Sequence, residues 1–320
     1  MVENILLIIV GFFLLIKGAD ILVEGSCAVA KKFHIPEIIV GLTIVSIGTS
    51  MPELMVSVTS AVDNLPDLAL GNVVGSNLCN MLLILGLSAV IRPIEFKKET
   101  KLVEIPMTLI IIFTLFILGN NGDVDKFITR PEGFILVILF ICFLSYTIIM
   151  AKFGNDFDEV EEKKESDSKP MSVLKSIVFI LAGIVALKFG GDFVVDNAVA
   201  IAKVIGISEK VISLTIIAIG TSLPELLTSV TAAVKGDSDI AIGNVVGSNI
   251  FNILLILGLS AAISPVHYAV SYNIDMMVMF VATALLMIFP YIGKKNTMTR
   301  TNGIIYLFGY GAYMVSLFIR

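Results

Sequence analysis

The chain has 320 residues, 57% hydrophobic and 15% charged, with a mean hydropathy of +0.96. Soluble domains carry nearer a quarter charged residues, so a soluble globule is excluded, and with it most enzyme classes. The net charge of −5 comes largely from one acidic stretch and points to no nucleic-acid partner.

Apolar runs of about twenty residues, rather than alternating ten-residue segments, predict membrane helices and not a lipid-facing barrel. Ten spans fit: approximately 4–28, 36–62, 67–91, 103–120, 132–151, 172–200, 208–234, 239–264, 269–290 and 303–319. Ala28-Val29-Ala30 mimics a signal-cleavage site, but Lys17 and Asp20 interrupt the apolar region and no positive cluster leads it. The first segment is read as a retained span. Cys27, Cys79 and Cys142 have no CxxC or Cys/His spacing and read as buried small residues.

The second span contains Gly48-Thr49-Ser50-Met51-Pro52-Glu53, and the seventh contains Gly220-Thr221-Ser222-Leu223-Pro224-Glu225, 172 residues later. The same offset maps Gly71-Asn72-Val73-Val74-Gly75-Ser76-Asn77 of the third span onto Gly243-Asn244-Val245-Val246-Gly247-Ser248-Asn249 of the eighth, and Asn80 onto Asn252. Between Leu42 to Pro93 and Leu214 to Pro265 roughly two-thirds of positions are identical without a gap, which shared hydrophobicity does not produce. The chain is therefore a doubled unit. Five spans per copy is an odd number, so the second copy enters the bilayer from the opposite face, and the expected fold is all-α, ten helices as two inverted five-helix repeats, 1–152 and 172–320.

Residues 153–171 join the repeats as an acidic, solvated tether without the Asp-x-Asp-x-Asp-Gly pattern of an EF-hand loop. With the amino terminus outside, 15 of the 22 Lys and Arg residues fall on inner loops and 5 on outer ones. That bias favours an external amino terminus and a cytoplasmic linker in a cell-membrane protein.

Glycine followed by Thr-Ser-x-Pro breaks the helical ladder, because proline has no N–H to donate. A break at membrane depth is tolerated only where the freed backbone is buried in protein or lines a polar cavity. It offers the carbonyls of Ser46 and Thr49 in one copy, and of Ala218 and Thr221 in the other, as ligands. Glu53 and Glu225 follow directly. An ionised carboxylate near the bilayer centre costs about 2.5–3.5 kcal/mol on insertion scales, and neither repeat core holds a basic residue. A bound cation fills that role. A competing reading is a capping box, Ser50-x-x-Glu53 and Ser222-x-x-Glu225, although glutamine caps as well without a buried charge.

Ser76 and Asn80 share one helical face, as do Ser248 and Asn252. Helix-to-helix hydrogen bonding is the rival role for both asparagines, and close packing that for Gly71, Gly75, Gly243 and Gly247. Every candidate ligand is oxygen, which suits calcium, sodium or magnesium and not the softer metals. Two carboxylates neutralise one divalent ion, and the same oxygens suit several sodium ions. Competition for overlapping positions is the physical content of antiport.

These residues resemble the alpha repeats of the cation/calcium exchanger superfamily, especially its prokaryotic sodium/calcium exchanger branch. The resemblance implies a calcium site of Glu53 and Glu225 with the backbone oxygens of Thr49 and Thr221. It implies flanking sodium sites using Ser50, Ser76 and the Ser46 carbonyl on one side, and Ser222, Ser248 and the Ala218 carbonyl on the other. It further implies that the first and sixth spans slide past the bundle to alternate access. Some relatives carry aspartate where this chain has Asn252, which argues against potassium co-transport. A proton/calcium exchanger with the same paired glutamates is the alternative function, and a passive cation channel a lesser one. The expected partners are calcium and sodium ions and the lipid bilayer, with no cofactor, no nucleic acid and no protein partner implied.

Overall fold

The computed structural model describes residues 2–63, 66–121, 126–153, 171–205, 218–292 and 295–319. Most of the expected linker, and residues 208–217 of the expected seventh span, lie outside the described residues. What is described is almost wholly helical. In chain order the helices are α1 (Val2–Phe33), α2 (Glu37–Thr49), α3 (Met51–Val62), α4 (Leu68–Ile91), α5 (Thr100–Gly119), α6 (Arg130–Ala151), α7 (Val173–Val204), α8 (Ala218–Thr221), α9 (Leu223–Lys235), α10 (Ser238–Ile263), α11 (Tyr272–Tyr291) and α12 (Arg300–Ile319).

Among the described residues, α1, α4, α5, α6, α7, α10 and α11 are each long and apolar enough to cross a bilayer, and α2 with α3 makes an eighth across a bend of 51°. Helices α8, α9 and α12 stand where the seventh and tenth spans are expected, without passing that test. On α6, Phe134, Ile138 and Ile141 are exposed while Leu136, Phe140 and Phe143 are buried. A broad apolar face turned outward suits lipid and not water.

Two short pairings that the sequence reading did not anticipate tie distant segments together. Strand β1 (Ile94–Glu95) pairs antiparallel with β4 (Thr297–Met298), and β2 (Phe127–Ile128) with β3 (Val266–His267). Each joins the first half of the chain to the second.

The helices form two packed groups. The larger core is built from α4, α5, α6, α10, α11 and α12, with residues such as Leu78, Leu85, Ile253 and Leu257 fully buried. The smaller lies where α1 and α7 meet α2 and α9, around Leu15, Leu22, Val45 and Leu187. Helices α1 and α7 run antiparallel at glycine-to-glycine distance. A Cβ on Gly11 would lie 2.8 Å from the Gly190 carbonyl, and one on Gly18 would lie 3.0 Å from that of Gly183. Small residues let two backbones approach this closely where lipid supplies no hydrophobic driving force.

Candidate ion-binding site

The break forms where the proline chemistry predicts. Ser50 (φ −83°, ψ 9°) leaves the helical region between α2 and α3, and Ser222 (φ −88°, ψ 5°) does the same between α8 and α9. Pro52 and Pro224 remove the N–H that would close onto the carbonyls of Gly48 and Gly220, four residues back. Those two carbonyls were not singled out in the sequence. The Ser46 carbonyl, by contrast, accepts the Ser50 N–H at 3.0 Å, so it keeps its rung of the ladder. In the second half the Ser222 N–H turns to the Ile219 carbonyl at 3.2 Å, one residue beyond Ala218. Helix α7 covers both breaks: a Cβ on Gly48 would strike Ile184, and one on Gly220 would strike Val195.

Glu53 and Glu225 are each 1% exposed. Their hydroxyl partners come from the opposite half. Ser50 Oγ donates to Glu225 Oε1 at 2.8 Å, and Ser222 Oγ donates to Glu53 Oε1 at 3.4 Å. The capping box is therefore not formed: neither Ser50 nor Ser222 caps its own helix through its side chain. This exchange of serines brings the two carboxylates to one place. Among the described residues, Glu53 Oε2 and Glu225 Oε2 are buried without a hydrogen-bond partner. Among the described residues the ion pairs include Lys97–Asp239, Lys188–Asp192 and Lys235–Asp20, and neither glutamate is in one of these.

Helices α4 and α10 pass beside the breaks and bring the remaining oxygens. Ser76, Ser248, Asn80 and Asn252 are all buried, and Ser248 Oγ lies 2.9 Å from Ser50 Oγ. Thr49 Oγ1 donates to Asn244 Oδ1 at 3.0 Å, and Thr221 is half-buried. Asn80 Nδ2 reaches Asn249 Oδ1 at 3.1 Å, and Asn252 Nδ2 reaches Asn77 Oδ1 at 3.0 Å. The interhelical role expected as a rival for these asparagines is thus real, but it uses only the amide nitrogen. Asn80 Oδ1 and Asn252 Oδ1 have no partner among the described residues. Both helices widen to π geometry here, over Cys79–Ile84 and Asn252–Leu257. A π-bulge re-aims side chains and recurs at functional sites.

The motif asparagines that the sequence reading quoted but gave no role turn out to be braces. Asn72 Nδ2 donates to the Glu53 carbonyl (3.3 Å) and Ser57 Oγ (3.0 Å), and Asn244 Nδ2 to the Glu225 carbonyl (3.3 Å) and Ser229 Oγ (2.8 Å). Their recurrence at the 172-residue offset was the available signal.

The centre thus gathers carboxylate, amide, hydroxyl and carbonyl oxygens in a dry interior. Four of these oxygens are buried and unpartnered. Burying such atoms without a hydrogen bond costs free energy, and an all-oxygen set of this kind suits a hard cation.

Comparison with known proteins agrees with this chemistry. Residues 3–149 and 175–319 match the family described as sodium/calcium exchanger protein. The chain is 39% identical to the putative antiporter CaxA of Alkalimonas amylolytica over 97% of both chains. It is 30% identical to the sodium/calcium exchanger MaX1 of Methanosarcina acetivorans over 98% of both. The fold is similar to that of the sodium-calcium exchanger NCX_Mj, solved after soaking with sodium and calcium, with a TM-score of 0.85, 32% identity and 99% of both chains covered. This multi-pass membrane protein belongs to the sodium/calcium exchanger protein family, and its activity is cation/calcium antiport.

Proposed function

We propose that the protein exchanges sodium for calcium by alternating access at a midplane centre between two inverted five-helix repeats, 1–152 and 172–320. Glu53 and Glu225 hold calcium together with the backbone oxygens of Thr49 and Thr221. Sodium occupies flanking positions, with Ser50, Ser76 and the Ser46 carbonyl on one side and Ser222, Ser248 and the Ala218 carbonyl on the other. Asn80 and Asn252 supply amide oxygens to the centre. The carrying observation is the set of four buried oxygens, two of them carboxylate, that have no partner among the described residues, with no ion pair to either glutamate among them.

Sodium as the driving ion is supported by the neutral hydroxyls and carbonyls around the glutamates, which suit a monovalent hard cation. The printed names of MaX1 and NCX_Mj point the same way. Movement of α1 with α7 as one unit past the bundle is supported by their mutual glycine packing. An external amino terminus and a cytoplasmic linker are supported by the charge bias.

The test is calcium uptake by proteoliposomes carrying the whole chain, in separate batches with imposed sodium, proton and potassium gradients. Outward sodium gradients are expected to drive uptake. Uptake driven by a proton gradient and indifferent to sodium transfers the assignment to proton/calcium exchange. Flux with no counter-ion requirement makes the protein a channel.

A further inference from the structure

Four buried amides, Asn77, Asn80, Asn249 and Asn252, form one hydrogen-bonded circuit, open at both ends, whose direction can be worked out atom by atom. Asn249 Nδ2 lies 3.5 Å from the backbone carbonyl of Asn77, and Asn77 Nδ2 lies 3.3 Å from the backbone carbonyl of Asn249. A backbone carbonyl only accepts, so each of these side chains must turn its NH₂ toward the other's backbone. That leaves Asn249 Oδ1 facing Asn80, and Asn77 Oδ1 facing Asn252. An amide oxygen also only accepts, so Asn80 and Asn252 must in turn present their NH₂ groups to it, at 3.1 and 3.0 Å. Their own oxygens then have one direction left, away from the circuit, and both are buried and unpartnered.

We infer that Asn77 and Asn249 are positioning residues that set the polarity of the ion centre: each holds the asparagine of the opposite half, Asn252 or Asn80, with its oxygen toward the ion and its NH₂ away from it. This rests on the proposed assignment of Asn80 and Asn252 as ligands. An asparagine is nearly symmetric in shape but not in charge. Flipped, it would aim an NH₂ at a cation. Four amides anchored to two main-chain carbonyls exclude that state without any charge being added to the centre. Groups that orient a metal ligand from behind typically contribute 10–100-fold in affinity. Because the circuit crosses between halves, the polarity of each half's ligand depends on the other half being docked.

The test uses Asn249→Leu, which removes the acceptor that orients Asn80. Binding is read as the calcium-dependent rise in thermal unfolding midpoint of the purified whole chain, and transport as the KM and maximal rate of calcium uptake. The expected result is an apparent calcium affinity lower by about 10–100-fold. Asn80→Asp on this background is expected to restore affinity to within about threefold of the wild type, because a carboxylate presents oxygen whichever way it turns. Asn252→Asp on the same background adds the same charge but leaves Asn80 free to flip, and is expected not to restore it. Equal rescue by both aspartates, or no rescue by either, overturns the positioning role, as does unchanged affinity in Asn249→Leu. Should Asn249→Leu not fold, the mirror set of Asn77→Leu with Asn252→Asp or Asn80→Asp carries the same outcomes. Because the unfolding measurement reads calcium binding directly, a wild type that binds calcium without exchanging it for sodium refutes the transport reading and leaves this one standing.

Discussion

Helices α4 and α10 share the run Gly-Asn-Val-Val-Gly-Ser-Asn, yet of the most apolar 18 residues of each, 94% are buried in α10 and 72% in α4. The glycines show where the difference arises. A Cβ on Gly247 would lie 2.7 Å from Ser46 Oγ and 2.8 Å from the Leu42 backbone, and one on Gly243 would lie 2.8 Å from the Ile38 carbonyl. At the equivalent positions a Cβ on Gly71 meets only the Tyr272 hydroxyl, at 3.1 Å, and one on Gly75 meets nothing within 4 Å among the described residues. The serines differ likewise, 2.8 Å for Ser50 to Glu225 against 3.4 Å for Ser222 to Glu53. Equal sequences in unequal surroundings mean that composition is not the cause. On the proposed cycle, the two halves exchange these surroundings when access alternates.

The comparison is broken most directly at the carboxylates. Glu53→Gln and Glu225→Gln are each expected to lower initial calcium uptake by at least about 100-fold, because a unit charge a few ångströms from a cation contributes about 4 kcal/mol even at an effective dielectric of 20. Near-normal uptake in either variant would show that a single carboxylate carries the ion. Gly247→Ala is expected to destabilise the fold by about 1–3 kcal/mol through overpacking against α2. Gly75→Ala should change stability by less than about 1 kcal/mol, as read by thermal unfolding in detergent. Gly75→Ala should nevertheless slow exchange, since its face must close in the opposite state. Equal destabilisation by both would mean that the asymmetry does not exist in solution.

Ser50→Ala should weaken apparent calcium affinity about tenfold, since a well-aligned hydroxyl oriented on a ligand carboxylate is lost, and Ser222→Ala by no more than about threefold. Reversal of that order would place the protein mainly in the opposite state under assay conditions. The smallest effect is expected from Asp20→Asn. Asp20 of α1 pairs with Lys235 at the end of α9, whereas Asp192, its counterpart at the 172-residue offset, pairs with Lys188 of its own helix. Both pairs are partly exposed, so loss of either should alter the unfolding free energy by about 0–1 kcal/mol.

Much of the site was legible in the chain because its causes are local. Pro52 and Pro224 interrupt the ladder inside a helix, so both breaks could be placed within the motif, although the carbonyls they free, those of Gly48 and Gly220, were not the ones expected. Glu53 and Glu225 needed no partner in view to be recognised as buried charges, since the apolar run around them excluded an exposed position. The capping reading failed for a non-local reason: Ser50 is three residues from Glu53, but its hydroxyl is drawn to Glu225, which is 175 positions away. The roles of Asn72, Asn77, Asn244 and Asn249 were missed because an asparagine carries no signature of its partner. Only the repeat marked them.

By itself the sequence determined that the chain is doubled, lies in a membrane, breaks two of its helices at proline and lines them with oxygen. These are properties of a residue and its near neighbours. Tertiary structure alone decided which serine serves which glutamate, which way four amides point and which half is the more tightly closed. Those outcomes rest on hydrogen bonds and backbone contacts between segments some 170 residues apart, and such contacts exist only once the two halves have docked.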